Sequence, residues 1–138
     1  MQNRILIDSG PLIALFHAKD NHHQNFRNFF KVNQYRFIST LAVFTEVSYF
    51  LNVNQKARQD FFEWVLRHGV IISDINQNDI PRIMELTDKY ADVPMDFADA
   101  TLLVAAEKSG IRKIVSLDSD FDIYRLSDKT QVKNVYIS

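Results

Sequence analysis

Short apolar runs alternate along the chain with longer segments in which apolar residues recur every three or four positions. The short runs are typical of buried strands in a parallel sheet, which is covered on both faces. The longer segments have the helical period. The predicted strands are 5–7, 35–39, 70–73, 113–117 and 133–137, and the predicted helices are 12–18, 22–32, 40–51, 55–68, 79–90 and 97–108.

Strands that alternate with helices indicate βαβ units, and therefore an α/β fold with a parallel sheet between helices. The length of 138 residues lies in the usual range for one domain, and no linker or internal repeat divides it, so residues 1–138 are predicted to form a single domain. In such sheets, ligands bind beyond the carboxyl ends of the strands. Residues that directly follow strands are therefore the first candidates for a functional site.

The composition, with 46% hydrophobic and 24% charged residues, is that of an ordinary globular domain. A net charge of -1 provides no overall basic field, so a nucleic acid would have to be held locally. The lack of cysteine excludes disulfides and thiolate metal sites. No run approaches the 18 apolar residues of a membrane span, and the N-terminal apolar run is too short for a signal peptide, so we expect a cytoplasmic protein without membrane contact.

Four acids interrupt apolar segments. Asp8 and Asp118 each follow a predicted strand, so both are expected at the same edge of the sheet. Glu46 and Asp99 lie in predicted helices without a positive charge three or four positions away, and both are predicted to face inward. A buried carboxylate without a partner is costly, so each must be protonated, paired with a distant cation or bound to a metal.

Several acids also have an ordinary structural interpretation, although Glu46 has none. Asp96 can cap the helix that carries Asp99, and Asp8 can be a turn or cap residue. Asp120 and Asp122 have the pattern of solvated loop acids. The set as a whole favours chemistry, because converging carboxylates need a cation, and ligands that are all oxygen select Mg²⁺ or Mn²⁺.

The segments ILIDSGPLIALF, STLAVFTEVSYFL, MDFADATLLVAAE and IVSLDSDFDIYR, in that order, resemble a PIN-domain ribonuclease of the VapC toxin type, from residue 5 to about 125. The resemblance implies a three-layer α/β/α sandwich around a parallel sheet of about five strands. It implies catalytic, metal-binding roles for four acids and outer-shell roles for two more. The four are Asp8, Glu46, Asp99 and Asp118, and the two are Asp96 and Asp120.

The activity implied by the resemblance is hydrolysis of RNA phosphodiester bonds with one or two Mg²⁺ or Mn²⁺ ions, by the toxin of a toxin-antitoxin pair. The implied partners are the RNA substrate, a small antitoxin protein that covers the acidic site, and a second copy in a homodimer. The alternative from another class is a catalytically inactive PIN-like module that binds nucleic acid or protein. Arg112, Lys113 and Arg125 are candidates for holding the RNA backbone, from sequence proximity alone.

Two other interpretations of the acids fit poorly. An EF-hand loop starting at Asp118 needs glycine where Ile123 stands and glutamate where Lys129 stands. A phosphatase with an aspartyl-phosphate needs a second acid two residues after Asp8, where the chain has Gly10.

The aromatic segments 26–30 and 61–64 are expected to pack in the core, with a dimer contact as the alternative.

Overall fold

The computed structural model of the chain describes residues 3–136, which form a five-stranded parallel sheet between layers of helices. The strands are Arg4–Ile7 (β1), Arg36–Thr40 (β2), Val70–Ser73 (β3), Lys113–Val115 (β4) and Lys133–Asn134 (β5). The helices are Ser9–Phe16 (α1), His23–Val32 (α2), Leu41–Phe50 (α3), Gln55–Leu66 (α4), Ile80–Lys89 (α5) and Phe97–Ser109 (α6). The predicted α/β/α sandwich is confirmed.

The strand order is β3-β2-β1-β4-β5, with every neighbouring pair parallel. The chain builds outward from β1 to β3 and then returns to the other side of β1 for β4 and β5. The direction therefore reverses between β1 and β4, where Ile7 lies opposite Val115. The crevice beyond such a reversal is the usual ligand site of an open α/β sheet.

Long buried stretches of the core lie in β1 and α6. Ile5, Leu6 and Ile7 of β1 are all 0% exposed, and burial of each such side chain stabilises the fold by about 1.5–3 kcal/mol. In α6, every residue from 98 to 106 is buried, because the helix contacts α3, α5 and β2 at once. This explains why its sequence is apolar nearly all round. It also means that the first turn of α6 is held rigidly against the sheet.

Helix α1 begins at Ser9, three residues earlier than predicted. The reason is Asp8, whose carboxylate accepts a hydrogen bond from the Ser9 N–H over 2.8 Å and caps the helix. Pro11 then falls in the first turn, where a helix needs no N–H donor. The expected cap role of Asp8 therefore coexists with its position at the sheet edge.

Helix α4 was predicted to end at His68, but it ends at Leu66. His68 takes the left-handed conformation, with φ of 65°, and turns the chain towards β3. The next residue must be glycine, because the backbone of Gly69 lies against the Trp64 ring. An added Cβ would be only 2.1 Å from Trp64 Cε2. At the end of α6, Gly110 takes the left-handed conformation, with φ of 72°, as expected for a glycine that closes a helix.

Strands β4 and β5 are shorter than predicted, and Ile137, in the predicted last strand, lies outside the described residues. Beyond Val115 the side chain of Asn134 replaces the backbone ladder. Its amide nitrogen donates to the Ser116 carbonyl over 2.8 Å, and its oxygen accepts from the Ser116 N–H over 3.3 Å. The strand end is therefore fixed even though regular pairing has stopped.

The two aromatic segments belong to the core. Phe26 and Phe61 are fully buried, and Phe29, Phe30 and Trp64 pack against the same cluster. Within residues 3–136, no helix has both the length and the apolar character needed to cross a membrane.

Candidate metal centre

Two acids from the ends of neighbouring strands meet where the strand order reverses. Asp8 directly follows β1, and its N–H donates to the Val115 carbonyl over 3.1 Å, which extends the pairing of β1 with β4. After β4, Ser116 and Leu117 carry the chain to Asp118 at the same edge. Both acids lie on one side of the sheet because β1 and β4 run in the same direction.

Asp99 reaches this edge from the first turn of α6. Asp96 is the N-cap of that helix, and its carboxylate accepts a hydrogen bond from the Asp99 N–H over 2.8 Å. The side chain of Asp99 is itself buried, with 7% exposure. The cap interpretation of Asp96 is therefore correct, and so is the inward orientation of Asp99. The cap fixes the backbone from which the Asp99 carboxylate projects into the fold.

Asp8, Asp99 and Asp118 each offer a carboxylate oxygen, and these three oxygens lie within 4.8 Å of one another. We refer to these three residues as the carboxylate cluster. The cluster opens into a cavity of about 420 Å³, the acidic cavity. The residues that line the cavity are Asp8, Ser9, Gly10, Glu46, Asp96, Asp99, Leu117 and Asp118.

Glu46 lines the acidic cavity but is exposed, which corrects the prediction that it faces inward. Val43 and Val47 occupy the buried face of α3, so Glu46, one position before Val47, lies on the flank of the helix. Although the residue is exposed, the cavity shields its carboxylate partly from water, which raises its pKa, as do the negative charges of Asp96 and Asp8. Glu46 therefore stands outside the carboxylate cluster while it still belongs electrostatically to the same site.

Ser116 joins two members of the carboxylate cluster. Its buried hydroxyl donates to Asp8 Oδ2 over 3.0 Å and accepts a hydrogen bond from the Asp118 N–H over 2.9 Å. One side chain therefore sets both the orientation of the Asp8 carboxylate and the path of the backbone to Asp118. Ser9 opposes the rise in the Glu46 pKa by hydrogen bonding.

The alternating acids after β4 have three different environments. The Asp118 carboxylate accepts a hydrogen bond from the Asp120 N–H over 2.9 Å and caps a short 3-10 turn, Ser119–Asp122. Asp120 is half-buried beside Asp118, and its pKa is raised by burial and then by the Asp118 charge. Asp122 is exposed. Of the three, only Asp118 lines the acidic cavity.

The carboxylate cluster is electrostatically unfavourable in the absence of a cation. Burial raises the pKa of Asp8 to about 6, against the opposing hydrogen bonds from Ser9 and Ser116, and the charges of Asp118 and Asp96 add to the rise. Burial and the charges of Asp96, Asp8 and Asp118 raise the pKa of Asp99 to about 7. The ionised forms of these groups therefore require compensation by a positive charge.

In the part of the chain that the structure describes, no positive side chain supplies that charge. Among residues 3–136, no lysine, arginine or histidine forms an ion pair with any member of the carboxylate cluster. The three candidates for holding the RNA backbone, all described residues, do not neutralise the carboxylate cluster. Arg112 pairs with Asp128, Arg125 donates to the carbonyls of its own loop, and Lys113 lies at the opposite end of β4.

The donor set fits a hard divalent cation. Three carboxylates converge without sulfur or imidazole, and Mg²⁺ and Mn²⁺ prefer oxygen ligands. The raised pKa values of Asp8 and Asp99 also favour a cation at this site, because a bound cation would stabilise the ionised carboxylates. Asp8, Asp99 and Asp118 are therefore the residues that would hold the ion.

One contact in the site was not expected from the sequence. The hydroxyl of buried Tyr124 donates to Asp99 Oδ2 over 3.2 Å. No local pattern marks this tyrosine, because the two residues are 25 positions apart and meet only when α6 and the turn after β4 pack together.

Comparison with known proteins agrees with this architecture. The family model of the PIN domain matches residues 5–126. A search of curated proteins finds no match. Among solved structures, VapC20 of Mycobacterium tuberculosis, a toxin that cleaves the sarcin-ricin loop, superposes with a TM-score of 0.77 at 20% identity, over 86% of this chain and 93% of that one.

A second structure, VapBC2 from Rickettsia felis bound to a DNA fragment from their promoter, gives a TM-score of 0.59 at 14% identity, over 87% of this chain and 92% of that one. At these identities the structural similarities establish the fold, a five-stranded parallel sheet with helices as in VapC proteins. The family follows from the sequence model, which spans most of the chain. The chain belongs to the PIN domain family.

Proposed function

We propose that the protein is a metal-dependent ribonuclease, the toxin of a toxin-antitoxin pair, which hydrolyses RNA phosphodiester bonds with Mg²⁺ or Mn²⁺. The observation that carries the proposal is the carboxylate cluster. Asp8, Asp99 and Asp118 bring three oxygens within 4.8 Å of one another, and no cation among residues 3–136 pairs with them. Membership in the PIN family and the similarity to VapC20 support the choice of RNA.

Each acid has a distinct role in this proposal. Asp8, Asp99 and Asp118 hold the ion directly, and Glu46 completes the site from the flank of α3. Asp96 acts from the outer shell, where it fixes the first turn of α6. Asp120 acts there too, because its N–H orients the Asp118 carboxylate.

The chemistry supplied when a divalent ion is bound is neutralisation of phosphate charge and activation of a water nucleophile. The chain's own residues prepare the site for this. Ser116 and the Ser9 N–H hold the Asp8 carboxylate in a fixed orientation, so little reorganisation is needed on binding. The acidic cavity is open, with room beside the carboxylate cluster for a phosphate group.

Partners follow from the same proposal. A small antitoxin protein would cover the acidic cavity, and a basic side chain from it would satisfy the carboxylates that lack a cation. The similarity to VapBC2 supports such a partner. We also propose cytoplasmic location, a single domain over residues 1–138, and a homodimer as the assembly that the family resemblance suggests.

The decisive experiment is cleavage of a mixed RNA panel with Mg²⁺, with Mn²⁺ or with chelator, comparing wild type, Asp8→Asn and Asp122→Asn. Wild type and Asp122→Asn should both cleave RNA with metal, and chelator should stop both. Asp122 is a suitable control because it is an exposed acid in the turn after Asp118 and does not line the acidic cavity. Asp8→Asn should be inactive while it keeps its fold by circular dichroism.

Cleavage in chelator, or equal cleavage by Asp8→Asn, would contradict the mechanism. RNA binding without cleavage under any metal would instead identify a catalytically inactive nucleic-acid-binding module.

A further inference from the structure

Tyr124 has its hydroxyl in direct contact with the carboxylate cluster. The side chain is 1% exposed, and the hydroxyl donates to Asp99 Oδ2 over 3.2 Å. Its ring packs against Tyr90 and Phe121, with centroids 5.1 and 5.4 Å away. A ring held on two sides cannot follow a carboxylate that rotates, so the hydroxyl provides a fixed point of attachment for Asp99.

The backbone that carries Tyr124 is tied to the same site. The Tyr124 N–H donates to the Asp120 carbonyl over 3.3 Å, and the Asp120 N–H donates to the Asp118 carboxylate. On the other side, the Arg125 N–H donates to the Tyr90 hydroxyl over 2.8 Å. The segment that supplies one acid of the carboxylate cluster therefore also places the hydroxyl that holds another.

The contact leaves the carboxylate free to bind an ion. An ionised carboxylate has about four acceptor positions on two oxygens, and one hydroxyl occupies one of them. Because Asp99 lies in a helix whose backbone is fixed, rotation of its carboxyl group is the main remaining freedom, and the hydroxyl restricts it. Hydrogen bonds of this type orient metal ligands in proteins.

We propose that Tyr124 is a positioning residue of the metal centre, whose hydroxyl orients the Asp99 carboxylate for a divalent cation. This inference rests on the proposed function, since it assigns Tyr124 to the same site. The competing interpretation is purely structural, in which the hydrogen bond only satisfies a buried hydroxyl. A structural role predicts lower stability without any specific change in metal affinity, so the two interpretations are separable.

The test compares Tyr124→Phe with Tyr90→Phe in the full chain. Both remove one buried-ring hydroxyl, but the Tyr90 hydroxyl bonds to a backbone N–H and not to an acid. The melting temperature is measured against Mn²⁺ concentration, which gives an apparent Kd, and in chelator, which gives the metal-free stability. Tyr124→Phe should raise the Kd for Mn²⁺ by about 10- to 100-fold. Tyr90→Phe loosens the same segment but leaves the Tyr124–Asp99 hydrogen bond in place, so it should raise the Kd at least about fivefold less than Tyr124→Phe does.

A Tyr124→Phe Kd equal to that of wild type would overturn the positioning role and leave the proposed nuclease function intact. An equal rise in the Kd for Mn²⁺ in both variants would also overturn the positioning role, because displacement of the segment after β4 would then explain the loss of affinity. If the melting temperature of the wild-type protein did not change with Mn²⁺ concentration, the proposed metal centre would be overturned, and this inference with it.

Discussion

The two ends of α6 carry acids with opposite environments. Near the carboxyl end, Glu107 receives two hydrogen bonds from Arg82, of 2.9 and 2.8 Å, and one from the Ser127 N–H of 2.7 Å. Burial favours a higher pKa for Glu107, but these bonds outweigh it and lower the pKa. Near the amino end, Asp99 is more buried, no cation among residues 3–136 pairs with it, and its pKa is raised to about 7.

This difference separates an acid that stabilises the fold from an acid available for binding. The chain pairs a partly buried carboxylate with arginine where the role is structural, so the unpaired state of the carboxylate cluster is not a general feature of its acids. The helix is the same in both cases, and its neighbours differ. Clusters of perturbed acids in a cavity are typical of functional sites.

The largest expected effect is on catalysis. Asp99→Asn should lower kcat/KM for RNA cleavage at least about 100-fold, because the loss of a charged ligand removes several kcal/mol of transition-state stabilisation. Glu107→Gln should leave kcat/KM, expressed per folded molecule, close to the wild-type value. Both variants are measured at saturating Mn²⁺, below their melting temperatures. Equal losses in the two variants would remove the functional distinction between the ends of α6.

The next effect is on stability, and its sign should differ between the two acids. Glu107→Gln should lower the free energy of unfolding by about 1–3 kcal/mol, because Arg82 loses charge-assisted hydrogen bonds. Asp99→Asn, measured in chelator at pH 8, should raise it, because a buried charge without a cation is removed. Urea unfolding measures both. Destabilisation by Asp99→Asn of the size seen for Glu107→Gln would mean that Asp99 is a structural acid.

The last expected effect is a pH dependence of stability in chelator. Asp8 and Asp99 have folded pKa values of about 6 and 7, above their ordinary value of 3.8, so the folded state binds more protons than the unfolded state in this window. Stability should therefore fall as the pH rises from about 4 to 7 and then level off. Glu107 acts in the opposite direction, since its stabilisation is lost as the pH falls through its lowered pKa.

The control for this pH dependence is the double variant Asp8→Asn, Asp99→Asn, in which the decline between pH 4 and 7 should flatten. Thermal melts across that range measure the slope. An unchanged slope in the double variant would assign the decline to groups outside the carboxylate cluster.

Much of the fold was predictable because it depends on local rules. The apolar runs gave the strands, the helical period gave the helices, and the parallel order followed from their alternation. The meeting of Asp8 and Asp118 was predictable for the same reason, since parallel strands share one carboxyl edge. Element ends were less predictable, because caps and close approaches, such as Gly69 against Trp64, depend on particular side chains.

The sequence by itself determined the fold class, the identity of the acids and the edge where two of them lie, because periodicity and strand direction act over a few residues. Only the tertiary structure decided that Glu46 is exposed, that Arg82 neutralises Glu107 and that Tyr124 holds Asp99. The last two contacts each join residues 25 positions apart. Such contacts depend on how helices and turns pack together, which no local pattern encodes.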